Sequence, residues 1–268
     1  MNINDLISKA KQIRNEVLNV AIKNGAGHIA PSLSCLEILI VLYYKHLNYD
    51  FNNPFWEDRD RVIFSKAHGC YALYAILSDK KIIPSDEWKY FYTDKSTLSG
   101  CIERRIEYGL EAGCGSLGHG LPLAVGLAYG AKVQNKQFHT YCIIGDGEMQ
   151  EGTTWESIQF CVKHEINNLT IIIDRNKLQA MDFISGILDV TEKDIISKLK
   201  GFGVNPVECN GNDLKDLINA FSNKRSHKLP QVICAQTIKG YGIRCMENIP
   251  KFHFRIPTVE ELQINNSH

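Results

Sequence analysis

Asp146 and Asn176 are the residues whose types and spacing carry the most chemistry. Asp146 stands in Gly145-Asp146-Gly147, directly after the apolar run 141–144, and Asn176 follows the isoleucine-rich run 169–174. A carboxylate and a carboxamide are hard oxygen ligands, suited to Mg²⁺ or Ca²⁺ and not to a thiol-seeking metal. Mg²⁺ takes roughly six oxygens and keeps several from phosphate and water. The two side chains, a backbone carbonyl, phosphate oxygens and water would complete such a shell. Gly145 and Gly147 let the backbone approach a phosphate with no Cβ in the way. The chain has no G-x-x-x-x-G-K-[ST], and no G-x-G-x-x-G directly following its first strand. The pattern therefore favours a diphosphate that is held over a phosphate that is transferred.

For these residues to share a crevice, the runs 141–144 and 169–174 must be neighbouring parallel strands joined by a right-handed helical crossover, with both loops at the C-terminal edge. The second half alternates in that way. Helices are expected over 153–164, opened by a Thr153/Glu156 capping box, and over 191–200 and 214–221. Further strands are expected over 204–209 and 231–236. In the first half, helical spacing runs over 3–22 until Gly25 and Gly27. A Ser34/Glu37 capping box opens a helix over 35–47, a strand covers 61–65, and helices cover 70–77 and 121–133. Residues 84–120 are glycine-rich and irregular. Alternation of strand and helix predicts an α/β fold, a parallel sheet with helices on both faces. Without a repeat or linker, 1–268 reads as a single domain with a short polar C-terminal tail from about 251.

Lys+Arg and Asp+Glu both total 30, a zero formal net charge that leaves no electrostatic footprint for nucleic acid or an anionic membrane. The N-terminus lacks the apolar core of a secretory signal, and no apolar run is long enough to span a bilayer. Nine scattered cysteines with no C-x-x-C argue against a disulfide framework or a zinc site, and for a reducing cytoplasm. His28, His68 and His119 each adjoin a glycine, which suits a tight loop beside a ligand, and Lys239 lies in a Gly-flanked loop after a strand.

Several segments match a known family in order. Gly27-His28, the run from Asp60 through Lys66-Ala67-His68-Gly69, Gly115-Ser116-Leu117-Gly118-His119-Gly120, the Gly-Asp-Gly…Asn pair, Lys239-Gly240-Tyr241-Gly242 and Met246-Glu247-Asn248 through His253 together resemble the transketolase family over roughly 20–255. The resemblance implies thiamine diphosphate as cofactor, with Mg²⁺ (or Ca²⁺) held by Asp146, Asn176 and the Leu178 carbonyl. It implies that Gly147, with Gly145 and Glu148 beside it, holds the diphosphate, with Lys239 nearby. His68 and His253 would line the diphosphate and reaction centre, and His28 and His253 would move protons to and from sugar hydroxyls. Ser116, Leu117, Gly118 and His119 would meet the aminopyrimidine ring, and Glu151 would join a carboxylate network at a subunit interface. Where the family carries Gly-His-Pro, with a histidine that touches the donor sugar, this chain has Gly100-Cys101-Ile102. A thiol is the poorer hydrogen-bonding partner, which points to a donor other than an ordinary ketose phosphate.

The implied activity is two-carbon ketol transfer between sugars, in specialised sugar biosynthesis. The alternatives are a decarboxylating enzyme acting on a 2-oxo acid such as pyruvate, or a non-catalytic cofactor-binding assembly subunit. In the family, the glutamate that activates the pyrimidine ring lies on a second domain. The expectation is a split enzyme in which a transketolase-like C-terminal, pyrimidine-binding subunit supplies that glutamate, assembled as α2β2, and in which this chain is inactive alone.

Overall fold

The computed structural model describes residues 1–180, 182–187, 194–223 and 226–263. Helix α1 (Ile3–Asn24) opens on a reciprocal capping box between Asn2 and Asp5 and closes on Gly25 at φ 76°, a left-handed turn that glycine takes without a Cβ penalty. Its stripe of Leu6, Ala10, Ile13, Val17 and Ala21 is buried. In place of one helix over 35–47 there are α2 (Ile29–Ser34), α3 (Leu36–Val41) and a π-helical stretch, Leu42–His46. The expected capping box does not form, because both side chains have distant partners. Ser34 bonds Asp174, and Glu37 pairs with Arg14.

Then come β1 (Arg61–Phe64), α4 (Cys70–Asp79), α5 (Ser85–Lys89), α6 (Gly120–Val133), β2 (Thr140–Gly145), α7 (Gly152–Lys163) and β3 (Leu169–Arg175). They are followed by α8 (Ile184–Ile187), α9 (Asp194–Gly201), β4 (Val207–Asn210), α10 (Leu214–Ser222), β5 (Gln231–Gln236) and α11 (Val259–Gln263). Residues 191–193 of the helix expected over 191–200 lie outside the described residues. Strand β4 starts three residues later than expected, because the Val204 N–H donates to the Leu199 carbonyl and closes α9 instead. Helix α7 begins on Glu151 with no side-chain cap, since the Thr153 hydroxyl donates to the Gly118 carbonyl. The irregular segment 84–120 is folded down by its aromatics. Trp88 and Phe91 are buried against Tyr71 and Tyr74, and the Arg59–Glu111 ion pair at 2.8 Å holds its far end.

The sheet is parallel throughout, in the order β1-β2-β3-β5-β4. All seven residues of central β3 are buried, so both faces of the sheet are covered by helices, as the strand–helix alternation predicts. Helix α6 lies against β1, β2 and β3 with α7 packed on it, while α10 lies against β4 and β5 and packs on α1 and α3. Register sets Phe64 opposite Ile143, Gly145 opposite Asp174, and Asp174 opposite Ala235. Four strands thus end side by side, and the loops that leave them converge. The segment expected as a polar tail does not lie loose from 251. Phe252 is buried and anchors a 3-10 turn, Pro250–His253, because its ring belongs to the core, and α11 follows. Residues 264–268 lie outside the described residues. None of the nine cysteines is in a disulfide, and only Cys101 and Cys245 are not buried. No described helix is long and apolar enough to cross a membrane.

Candidate active site

A cavity of about 300 Å³ opens where β1, β2, β3 and β5 end. Asp146 enters it from the turn after β2 and is 2 % exposed. Its carboxylate accepts from the Gly147 N–H at 3.0 Å and the Lys177 N–H at 2.6 Å. Lys177 takes φ 63°, which reverses the chain after β3 and brings Asn176 and Leu178 both onto the cavity wall. The Asn176 Oδ1 accepts from the Leu178 N–H at 3.1 Å, and its Nδ2 donates to Asp174 at 3.3 Å. The two side chains among the three predicted metal ligands therefore have their orientation set from behind. Burial, and then the charge of Asp174, push the Asp146 carboxyl up to about 7. A cation at this place would relieve that repulsion, so the donor set fits a hard divalent ion.

His28, His68 and His253 arrive from three separate segments, yet their ring centroids lie 5.1 to 5.3 Å apart. Gly27 makes the approach of His28 possible, because at φ 114° a Cβ there would fall 2.2 Å from the Tyr71 ring. Lys239, only 1 % exposed, donates to the His253 Nδ1 at 2.8 Å and to the Gln179 carbonyl at 3.2 Å. His253 thereby carries its own proton on Nε2. Burial holds His68 down to about 2 and His253 to about 3, with Lys66 and Lys239 adding to the effect, and it lowers His28 as well. Burial, then Lys66, hold Lys239 down to about 8. Nδ1 of His28 is buried without a partner. Neutral imidazoles, a depressed ammonium and an orphaned ring nitrogen around one space fit an anion such as a diphosphate.

Of the other predicted residues, Gly145, Gly147 and Leu117 line the cavity, and so does Cys101. Ser116 and His119 are exposed, and His119 Nδ1 lies 3.1 Å from the Leu117 carbonyl. Glu148 touches the cavity wall, but its carboxylate turns away to Ser65, Gly118 and Gly145. Glu151 lies outside the cavity, half-buried beside Gly118. Sequence reasoning missed the network behind the ligands. Asp174, fully buried, accepts from Lys66, Ser34, Thr237 and Asn176. A carboxylate ending an isoleucine run in a doubly covered strand was the signal for it.

The fold and site define a domain whose parallel sheet edge carries the residues that would hold a divalent cation and an anionic cofactor together. A profile described as "Transketolase, thiamine diphosphate binding domain" matches residues 7–261. The chain belongs to the transketolase family, a family of transferases, and carries its thiamine-diphosphate-binding domain. It is 35 % identical to an apulose-4-phosphate transketolase subunit of Actinobacillus succinogenes, over 98 % of this chain and 95 % of that one. It is 33 % identical to the 6-deoxy-6-sulfo-D-fructose transketolase subunit SqwG of Clostridium sp., over 89 % of this chain and 86 % of that one. The crystal structure of transketolase from Campylobacter jejuni superposes with a TM-score of 0.87 at 29 % identity, and covers 97 % of this chain. This chain spans 42 % of that structure.

Proposed function

We propose that the chain is the cofactor-binding subunit of a split transketolase that moves a two-carbon ketol unit between sugars. Its partner is a transketolase-like C-terminal, pyrimidine-binding subunit, and the two form an α2β2 assembly in the cytoplasm. The observation that carries this reading is the convergence of Asp146, Asn176 and Leu178 with three histidines and Lys239 in one cavity. Two similar chains of nearly this length, each named as one subunit of a transketolase for an unusual sugar, support the split arrangement.

In this reading Asp146, the Asn176 side chain and the Leu178 carbonyl hold Mg²⁺, with Ca²⁺ the second fit. Backbone around Gly145 and Gly147, with Lys239, His68 and His253, holds the diphosphate of thiamine diphosphate. The bound cofactor supplies the electron sink that lets a carbon–carbon bond of the ketose break. His28 and His253, kept neutral by burial, take and return protons at sugar hydroxyls. The segment Ser116 to His119 faces the aminopyrimidine ring, and Glu151 reaches the subunit interface. Cys101 on the wall supports a donor other than an ordinary ketose phosphate. The test is reconstitution. Purified chain mixed with its pyrimidine-binding partner should transfer ketol units, with neither active separately. Turnover by this chain alone at high purity would overturn the split arrangement, and decarboxylation of pyruvate by the mixture would overturn the reaction class.

Lys239 also predicts a proton signature. Burial and Lys66, against the opposing pull of Asp146 and Asp174, hold its ammonium down to about 8. A diphosphate against it favours the charged form, so binding takes up a proton above about pH 8, and affinity falls as pH rises. Calorimetric titrations in buffers of different ionisation enthalpy measure the uptake, and Lys239→Met should remove it. Equal proton uptake by wild type and variant would show that Lys239 does not face the anion.

A further inference from the structure

Glu148, an acidic group among the expected cofactor contacts, has both carboxylate oxygens bonded away from the cavity. It is 1 % exposed. Oε1 accepts from the Ser65 hydroxyl and from the Gly118 N–H at 3.1 Å, and Oε2 accepts from the Gly145 N–H at 2.9 Å. These donors belong to three places: the end of β1, the exposed loop before α6, and the Gly-Asp-Gly turn after β2. The loop has little else to hold it. Gly115, Ser116, Leu117 and His119 are exposed, and Gly118 is the buried point among them. Its N–H goes to Glu148 and its carbonyl accepts from the Thr153 hydroxyl at 2.9 Å. At φ 76° a Cβ on Gly118 would fall 2.7 Å from the Cβ of Glu151, so the loop is pressed against the start of α7 as well. Leu117, next in line, forms an apolar part of the cavity wall.

We propose that Glu148 is a positioning residue that fixes the spacing between the Leu117 wall and the Asp146 end of the cavity. Recognition of a ligand that spans both, an organic ring joined to a diphosphate, then depends on it, while recognition of the diphosphate end alone does not. The inference rests on the proposed function, and it adds which bond sets the length of the site. Glu148→Gln isolates the effect. An amide must turn its NH₂ toward one of the donors. Gly145 is locked in the sheet opposite Asp174, whereas Gly118 sits in a loop. The amide oxygen therefore stays on Gly145, Ser65 can accept from the NH₂, and the Gly118 N–H loses its partner.

Calorimetry on the chain assembled with its pyrimidine-binding partner, at saturating Mg²⁺, tests this, using thiamine diphosphate and inorganic pyrophosphate as the two probes. E148Q should weaken thiamine diphosphate about tenfold or more and leave pyrophosphate within about twofold. Leu117→Ala should show the same split, and adding it to E148Q should cost little further, because both act through one wall. Should E148Q fail to fold, Thr153→Val, which removes the other anchor of Gly118, carries the same expectation. Unchanged thiamine diphosphate affinity in E148Q, an equal loss for both probes, or additive losses in the double variant would each overturn the proposal. A wild-type assembly that binds pyrophosphate but not thiamine diphosphate would overturn the proposed function, and this inference with it.

Discussion

Asp146→Ala abolishes Mg²⁺-dependent binding of thiamine diphosphate while the chain stays folded. The carboxylate is the one anionic ligand in the proposed metal set, and its removal leaves diphosphate charge uncompensated in a buried space. Losing one partner of a buried charge pair costs about 3–5 kcal/mol, or a factor of about 10²–10⁴ in affinity. The fold bears the change because Asp146 is itself a liability without a cation. Burial and Asp174 push its carboxyl up to about 7, from an ordinary value of 3.8. The folded chain therefore binds the proton more tightly than the unfolded chain. That contribution to stability is full below the ordinary value and is lost as pH rises through about 7. Asp146→Asn, which keeps an acceptor for the Lys177 N–H, should flatten this part of the stability profile. Titration calorimetry and urea melts from acid to neutral pH are the measurements. Wild-type affinity in the alanine variant would remove Asp146 from the metal set.

Lys66→Met destabilises the whole chain. Its ammonium is 3 % exposed and donates to the Pro31 carbonyl and Ser34 hydroxyl, each at 2.7 Å, and to Asp174, which is fully buried. Burial pulls the Lys66 ammonium down, but the carboxylate beside it outweighs that and holds it above its ordinary value. Removing the cation leaves Asp174 with only the hydroxyls of Ser34 and Thr237 and the amide of Asn176. An uncompensated buried charge of this kind costs about 3–5 kcal/mol. Combining Lys66→Met with Asp174→Asn should recover at least half of the loss, since the charge is then gone as well. Urea denaturation at neutral pH measures both. A single-variant loss under about 1 kcal/mol would show that water or local relaxation screens the pair. Because Asp174 also holds the Asn176 amide, the same variant should weaken Mg²⁺-dependent binding.

The amino-acid sequence by itself determined the features that depend on local order. Helix α1 keeps its expected stripe because its capping residues, Asn2 and Gly25, bond within their own turn. Strands β2, β3 and β5 stand close to the runs that predict them, since apolar runs of that length between turn residues have few other solutions. The Gly145-Asp146-Gly147 and Asn176 segments meet because parallel pairing brings consecutive strand ends together whatever lies between them. Only the tertiary structure decided the rest. Ser34 and Glu37 look like a capping box in isolation, but Asp174 and Arg14, brought from far along the chain, take their side chains and the helix breaks. Glu148 has the position of a cofactor contact, yet its three donors come from segments that meet only once β1, β2 and the loop before α6 have packed. His253 joins His28 and His68 because a phenylalanine beside it is drawn into the core. Local hydrogen bonds and hydrophobic period are written in neighbouring residues. The partner of a buried polar group is selected by which distant segment desolvates it, and that exists only in the folded chain.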